Sequence, residues 1–118
     1  MAYFIGLDIG TSSVKAALLR DGKTVTYRAL YDENLGNTPE GWWKAVCDAI
    51  GQVSRDCGDD CGGIGITAQV GTYLLADTSK PAQEWPVYTW GGSGGTAQRA
   101  RLYRELGTDF FLKTTGMP

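Results

Sequence analysis

The sequence predicts an α/β domain on a mixed sheet, with elements in the order β-β-β-α-β, some added β, then α. Three observations carry this. The segment up to Leu30 alternates strand-forming runs with turn chemistry, helix-start signals coincide at Thr38-Pro39-Glu40, and a short β-branched run follows that helix.

Tyr3 to Asp8 and Val14 to Leu19 are short apolar runs rich in strand formers, and Gly10-Thr11-Ser12-Ser13 lies between them, which predicts a β-hairpin. Arg20-Asp21-Gly22-Lys23 supplies a second turn, because Asp-Gly tolerates the positive backbone angles that tight turns need. Thr24 to Leu30 then resumes the extended pattern, giving a three-stranded antiparallel meander. At Thr38-Pro39-Glu40 an N-cap hydroxyl precedes a proline at the first helical position and an acid in the first turn. Trp42, Ala45, Val46, Ala49, Ile50 and Val53 fall on one helical stripe that should lie on a sheet face, with the helix ending near Asp56-Cys57-Gly58.

Gly63-Ile64-Gly65-Ile66-Thr67 is too short and β-branched for a helix, and after a crossover helix it reads as a strand parallel to the first. Gly71 to Asp77 and Trp85 to Trp90 are further strand candidates around a polar turn at Thr78-Ser79-Lys80-Pro81. Thr96 to Leu106 predicts a second helix, capped by Thr96 and closed by Gly107, and Asp109 to Thr114 one short further turn. Gly91-Gly92-Ser93-Gly94-Gly95 has the composition of a flexible linker, either a native loop or an engineered segment, and supplies no acid, base or cation.

At 118 residues, 42% hydrophobic, the chain can bury one ordinary core but is small for a complete enzyme. A formal net charge of -2 without a basic cluster argues against a nucleic-acid partner. No apolar window of about 18 residues exists, and no signal-like stretch opens the chain, so no membrane partner is expected and the default compartment is cytoplasmic. Three cysteines fit reduced thiols rather than a disulfide framework. The Cys57/Cys61 pair stands alone, and with no histidine in the chain a four-ligand zinc site would need carboxylates; Ser-His and Cys-His nucleophiles are excluded outright.

The polar interruption within "FIGLDIGTSSVKAAL" admits two explanations, an ordinary hairpin turn or a phosphate cradle beside a metal-binding carboxylate. Gly10 lets backbone approach a ligand without a Cβ, and Thr11, Ser12 and Ser13 offer hydroxyls beside main-chain amides. The Walker pattern GxxxxGK[ST] is absent. Asp8 would accept turn amides if the segment were only a turn, and Lys15 would be a solvated strand lysine.

Gly6-Leu7-Asp8-Ile9-Gly10-Thr11-Ser12-Ser13-Val14-Lys15 resembles the first phosphate motif of the FGGY carbohydrate kinases, in their xylulokinase-like branch. Thr38-Pro39-Glu40-Gly41-Trp42-Trp43 is similar to the family's Pro-Glu-x-Trp-Trp helix start, and Gly63-Ile64-Gly65-Ile66-Thr67-Ala68-Gln69 to its strand ending in glutamine. Thr96-Ala97, Leu106-Gly107 and Thr115-Gly116-Met117-Pro118 resemble the family's helix and its Thr-Gly-x-Pro exit. The resemblance covers essentially the whole chain and implies a ribonuclease H-like fold of the actin/hexokinase type. It also implies that residues 1-118 are the N-terminal portion of the first kinase domain, a fragment inactive alone.

The same resemblance implies ATP and Mg²⁺ as cofactors and a sugar or polyol as the acceptor of the γ-phosphoryl group. By this resemblance Asp8 would hold the metal directly or through water, an arrangement that makes sense only with a cation between, since a bare carboxylate about 4 Å from a phosphate is repelled by about 4 kcal/mol. Gly10, Thr11, Ser12, Ser13 and Lys15 would hold the nucleotide phosphates. Gln69, Val70, Gly71 and Trp90 would line the sugar pocket. Here Val70-Gly71-Thr72 replaces the Met-His-Gly of xylulokinase-like members, and the acid and arginine usual after Trp90 are missing, so the sugar stays open. Trp42 and Trp43 could stack on a sugar, although their helical positions favour core packing for at least one. The aspartate that acts as general base belongs beyond Pro118, so no catalytic residue is expected in this chain. A face meeting the missing remainder should be apolar and favour a homo-oligomer. Another actin-like ATPase and a non-catalytic association module remain as alternatives.

Overall fold

The computed structural model describes residues 2–116, and its first three strands follow the turn chemistry. Strand β1 (Tyr3–Ile9) pairs antiparallel with β2 (Ser13–Arg20), and β2 with β3 (Lys23–Leu30). Asp21 and Gly22 join the latter two at φ 54° and 72°, the left-handed pair whose twist matches a two-residue hairpin.

Helix α1 (Pro39–Val53) begins where its signals coincide, with Thr38 Oγ1 accepting the Gly41 N–H at 3.1 Å. It stops at Val53, short of the expected end near Cys57. The Ser54 hydroxyl donates to the Ile50 carbonyl at 2.8 Å beside the regular helical N–H bond at 3.0 Å, and the next turn tightens, with the Cys57 N–H donating to the Ser54 carbonyl at 2.9 Å. Strand β4 (Cys61–Ala68) then joins β1 in parallel, setting Leu7 beside Ile66 and Asp8 beside Thr67. The sheet order is β3-β2-β1-β4, as a meander, crossover helix and parallel strand require.

Alternation along the strands sends Tyr3, Ile5 and Leu7, with Val14, Ala16 and Leu18, towards α1, which answers with Ala45, Ala49 and Val53. Neither tryptophan joins this core: Trp42 is half-buried with its indole N–H on Asn37 Oδ1, and Trp43 is exposed. The opposite sheet face carries Phe4 and Leu19 in the open, and on β4 Ile64 and Ile66 are also exposed. The radius of gyration is 18.9 Å, against about 13 to 14 Å for a compact chain of this length, because residues 70–116 add no buried residue to this core.

Beyond β4 the expected strands 71–77 and 85–90 shrink to β5 (Tyr73–Leu74) and β6 (Val87–Tyr88), a separate antiparallel ribbon stapled by stacked Tyr73 and Tyr88 rings. Pro86 lacks the N–H a longer ladder needs, and a 3-10 turn at Ala82–Glu84 precedes it. Helix α2 (Thr96–Leu106) has the expected bounds but not the expected cap: Gly95 caps it, while Thr96 Oγ1 donates back to the Ser93 carbonyl at 2.6 Å. Helix α3 (Thr108–Thr115) is a full helix where one short turn was expected. Of the exit motif, Met117 and Pro118 lie outside the described residues. Among those described, no helix is long and apolar enough to cross a membrane.

Two glycines of α1 should respond to alanine with opposite signs. A Cβ on Gly41 would stand 2.5 Å from the Gly36 carbonyl oxygen, so Gly41→Ala is expected to destabilise by about 1–3 kcal/mol. Gly51 faces open space, and Gly51→Ala should stabilise by about 0.5–1 kcal/mol. Urea midpoints of the two variants check this.

Candidate functional site at the ends of β1 and β4

The β1–β2 turn and the C-terminal ends of the parallel strands β1 and β4 meet at one edge of the sheet, where ligands of open α/β sheets gather. Asp8, next to last in β1, faces Lys15 across the ladder, and Lys15 Nζ lies 3.3 Å from Asp8 Oδ2. Both side chains are about half exposed, at 46% and 58%. A pair this open contributes under about 1 kcal/mol, so Lys15 can leave Asp8 at little cost. No turn amide among the described residues bonds to Asp8, which removes the explanation of that acid as a turn acceptor.

Asp8 and Lys15 belong to a cross-strand row that Thr67 extends on one side and Arg28 on the other. The neighbouring row is Gly65, Gly6, Ala17 and Thr26, whose small side chains leave an open trough of about 780 Å³ on the sheet face away from α1.

Gly10 N–H donates to the Ser13 carbonyl at 2.9 Å, closing the turn, and a Cβ on Gly10 would press to 3.1 Å of that same oxygen. Ser13 is buried, while Thr11 and Ser12 are exposed at the tip. Their amides bond no other group among the described residues. The Gly10 carbonyl accepts from two distant side chains: the Tyr31 hydroxyl at 2.6 Å and Gln69 Nε2 at 3.2 Å. Burial and the nearby Asp8 carboxylate push the Tyr31 hydroxyl above its ordinary 10.0, so it stays a donor through neutral pH.

Gln69 also donates its backbone N–H to the Ile9 carbonyl at 2.9 Å. Because the Gly10 carbonyl can only accept, the amide nitrogen must face it, leaving Oε1 as an acceptor that is buried and without a partner among the described residues. An orphan of this kind costs about 1–3 kcal/mol until a donor arrives. Beyond it Val70 is exposed, and Gly71 sits so close to Trp90 that an added Cβ would be 3.2 Å from the Trp90 Cβ. The Trp90 N–H meets Thr72 Oγ1 at 3.2 Å.

Several of the expected site residues meet in pairs at this end of the sheet. Asp8 meets Lys15, Gly10 meets Gln69, and Gly71 meets Trp90, a residue 64% exposed. Tyr31 is the participant that sequence reasoning missed. No group of three metal-ligating side chains exists among the described residues. Asp8 by itself suits a hard cation such as Mg²⁺, which keeps several waters and takes one or two carboxylates beside phosphate oxygens.

Solved structures of sugar kinases share this fold. A gluconate kinase from Lactobacillus acidophilus superposes with a TM-score of 0.77 at 19% identity, over 99% of this chain and 25% of its own. A ligand-bound xylulose kinase from Lactobacillus acidophilus gives 0.72 at 17%, over 100% and 26%, and one from Bifidobacterium adolescentis 0.70 at 22%, over 90% and 21%. The chain thus spans about a quarter of the length of these kinases. No protein-family profile matches it. At these identities the likeness shows the fold, the actin/hexokinase-type core expected from the sequence, present as a partial domain.

Proposed function

We propose that this chain is the N-terminal portion of the first domain of an FGGY-type carbohydrate kinase, supplying the phosphate hairpin and one wall of the sugar pocket for γ-phosphoryl transfer from ATP to a sugar or polyol hydroxyl. The observation that carries this is a meeting at one atom. The hairpin and the segment after β4, 59 residues apart, converge on the Gly10 carbonyl, joining a nucleotide end to a substrate end.

Thr11 and Ser12 would receive phosphate oxygens on their amides and hydroxyls, and Lys15, released from Asp8, would add a point charge. Asp8 would hold Mg²⁺, which when bound offsets the charge of the transferring phosphoryl group. Gln69 Oε1 can only accept, so it suits a donor hydroxyl, the group a sugar brings in abundance. The exposed Trp90 ring offers an apolar platform for a sugar face. The base that takes the hydroxyl proton would come from the rest of the kinase, and the fragment alone should not turn over. The protein would act in the cytoplasm, the compartment that reduced thiols suit.

Titration of the isotope-labelled chain with Mg-ATP should move the amide resonances of Gly10 to Ser13. Amides that stay still at millimolar nucleotide would favour a non-catalytic association module instead. In the longer polypeptide, ATP turnover should rise on adding a polyol or sugar, whereas a chaperone-like ATPase would ignore it.

A further inference from the structure

We propose that Tyr31 is a positioning residue for the phosphate hairpin, an inference that rests on the role given above to Gly10–Ser13. The peptide unit is planar and trans, so the Gly10 carbonyl oxygen and the Thr11 N–H point in opposite directions from one rigid plate. Whatever holds that oxygen aims that N–H.

Tyr31 holds it with a 2.6 Å hydrogen bond from its hydroxyl, and Gln69 Nε2 adds a second at 3.2 Å. Tyr31 also grips a second plate of the same turn, because its backbone N–H donates to the Ser12 carbonyl at 3.3 Å. Its ring packs against the core of the sheet and α1, so the grip is anchored in the rigid part of the molecule. Gly10 supplies the freedom that makes a clamp necessary. With no Cβ it has more backbone conformations open to it than any other residue, and an unclamped Gly10–Thr11 peptide could rotate its N–H away from a phosphate. The turn is thus preorganised from outside itself, by a residue after β3 and a residue after β4. Preorganised amides need no reorientation when an anion arrives, and that is where such a clamp strengthens binding.

The test compares the labelled wild-type chain with Tyr31→Phe, which deletes the hydroxyl and keeps the ring. Slow exchange at the Ala45 and Ala49 amides of α1 reports that the fold persists. In the ligand-free variant the Gly10 carbonyl-carbon and Thr11 amide resonances should shift, and the Gly10 and Gln69 amides should exchange faster. The dissociation constant for Mg-ATP should rise about five-fold, the worth of one ordinary hydrogen bond. Gln69→Met removes the second donor and should shift the same Gly10 and Thr11 resonances. Unchanged Gly10 and Thr11 resonances in Tyr31→Phe would overturn the clamp. Shifted resonances with an unaltered Mg-ATP dissociation constant would reduce Tyr31 to structural support and overturn the positioning role. A wild-type hairpin that ignores Mg-ATP refutes the phosphate cradle itself and the role with it, a result told apart because it occurs before any substitution.

Discussion

Asp8→Asn is expected to abolish the magnesium dependence of ATP binding and to tighten metal-free ATP binding about tenfold. The two effects share one cause. In the wild type a half-exposed carboxylate stands beside the hairpin and occupies Lys15, so it repels an incoming phosphate and withholds a cation from it. At about 4 Å that repulsion is about 4 kcal/mol at an intermediate dielectric, and exposure with ordinary salt lowers it to about 1–2 kcal/mol. Removing the charge relieves the repulsion and frees Lys15. It also removes the carboxylate through which a bridging Mg²⁺ would be held, so added metal should no longer improve binding. Calorimetric titrations with and without Mg²⁺ read both effects. An Asp8→Asn variant that keeps the wild-type ratio of the two affinities would mean that Asp8 is not the metal ligand. Thermal melting provides the control, because Asp8 makes no turn bond whose loss would unfold the hairpin.

Leu7→Ala is expected to cost about 2–5 kcal/mol, and Ile66→Ala less than about 0.5 kcal/mol, although the two residues are register partners on adjacent strands. Leu7 is 4% exposed beneath α1, where deletion leaves a cavity. Ile66 is 67% exposed, because α1 does not reach over β4. Since a whole domain is stable by only about 5–15 kcal/mol, the first substitution should bring this one-sided core near unfolding. Urea denaturation at low concentration compares them. A large cost at Ile66 would show that something covers that face in solution, and if the cost vanishes on dilution, the cover is a second copy of the chain. That outcome would support the homo-oligomer expected from an exposed apolar face.

Much of the architecture was legible because its signals are local. The Asp21-Gly22 turn, the Thr38-Pro39 helix start and the β-branched run from Gly63 each depend on residues adjacent in the chain, and each element formed close to its expected place. The errors arose where local chemistry had competitors. The end of α1 tightened into a turn from Ser54 to Cys57, Gly95 took the cap expected of Thr96, and Pro86 interrupts the donor row of the second late strand. Tyr31 was within reach. The Asp-Gly turn pairs Arg20 with Lys23, and counting back along that register places Tyr31 beside Ser12 at the hairpin tip. What escaped notice is that its side chain, not only its backbone, reaches the turn.

The residue types of the hairpin, its turn, the crossover helix and the parallel strand were all written in consecutive residues, because backbone propensity and capping act over a few positions. Three things needed the folded chain. One is the convergence of Tyr31 and Gln69 on the Gly10 carbonyl, across 21 and 59 residues. Another is the choice of Lys15, rather than a turn amide, as the partner of Asp8. The last is which face of the sheet receives α1 and which stays bare. Each depends on which segments meet and on which side: strand pairing brings Lys15 and Gln69 to the turn, and packing of α1 on one side of the sheet decides the buried face.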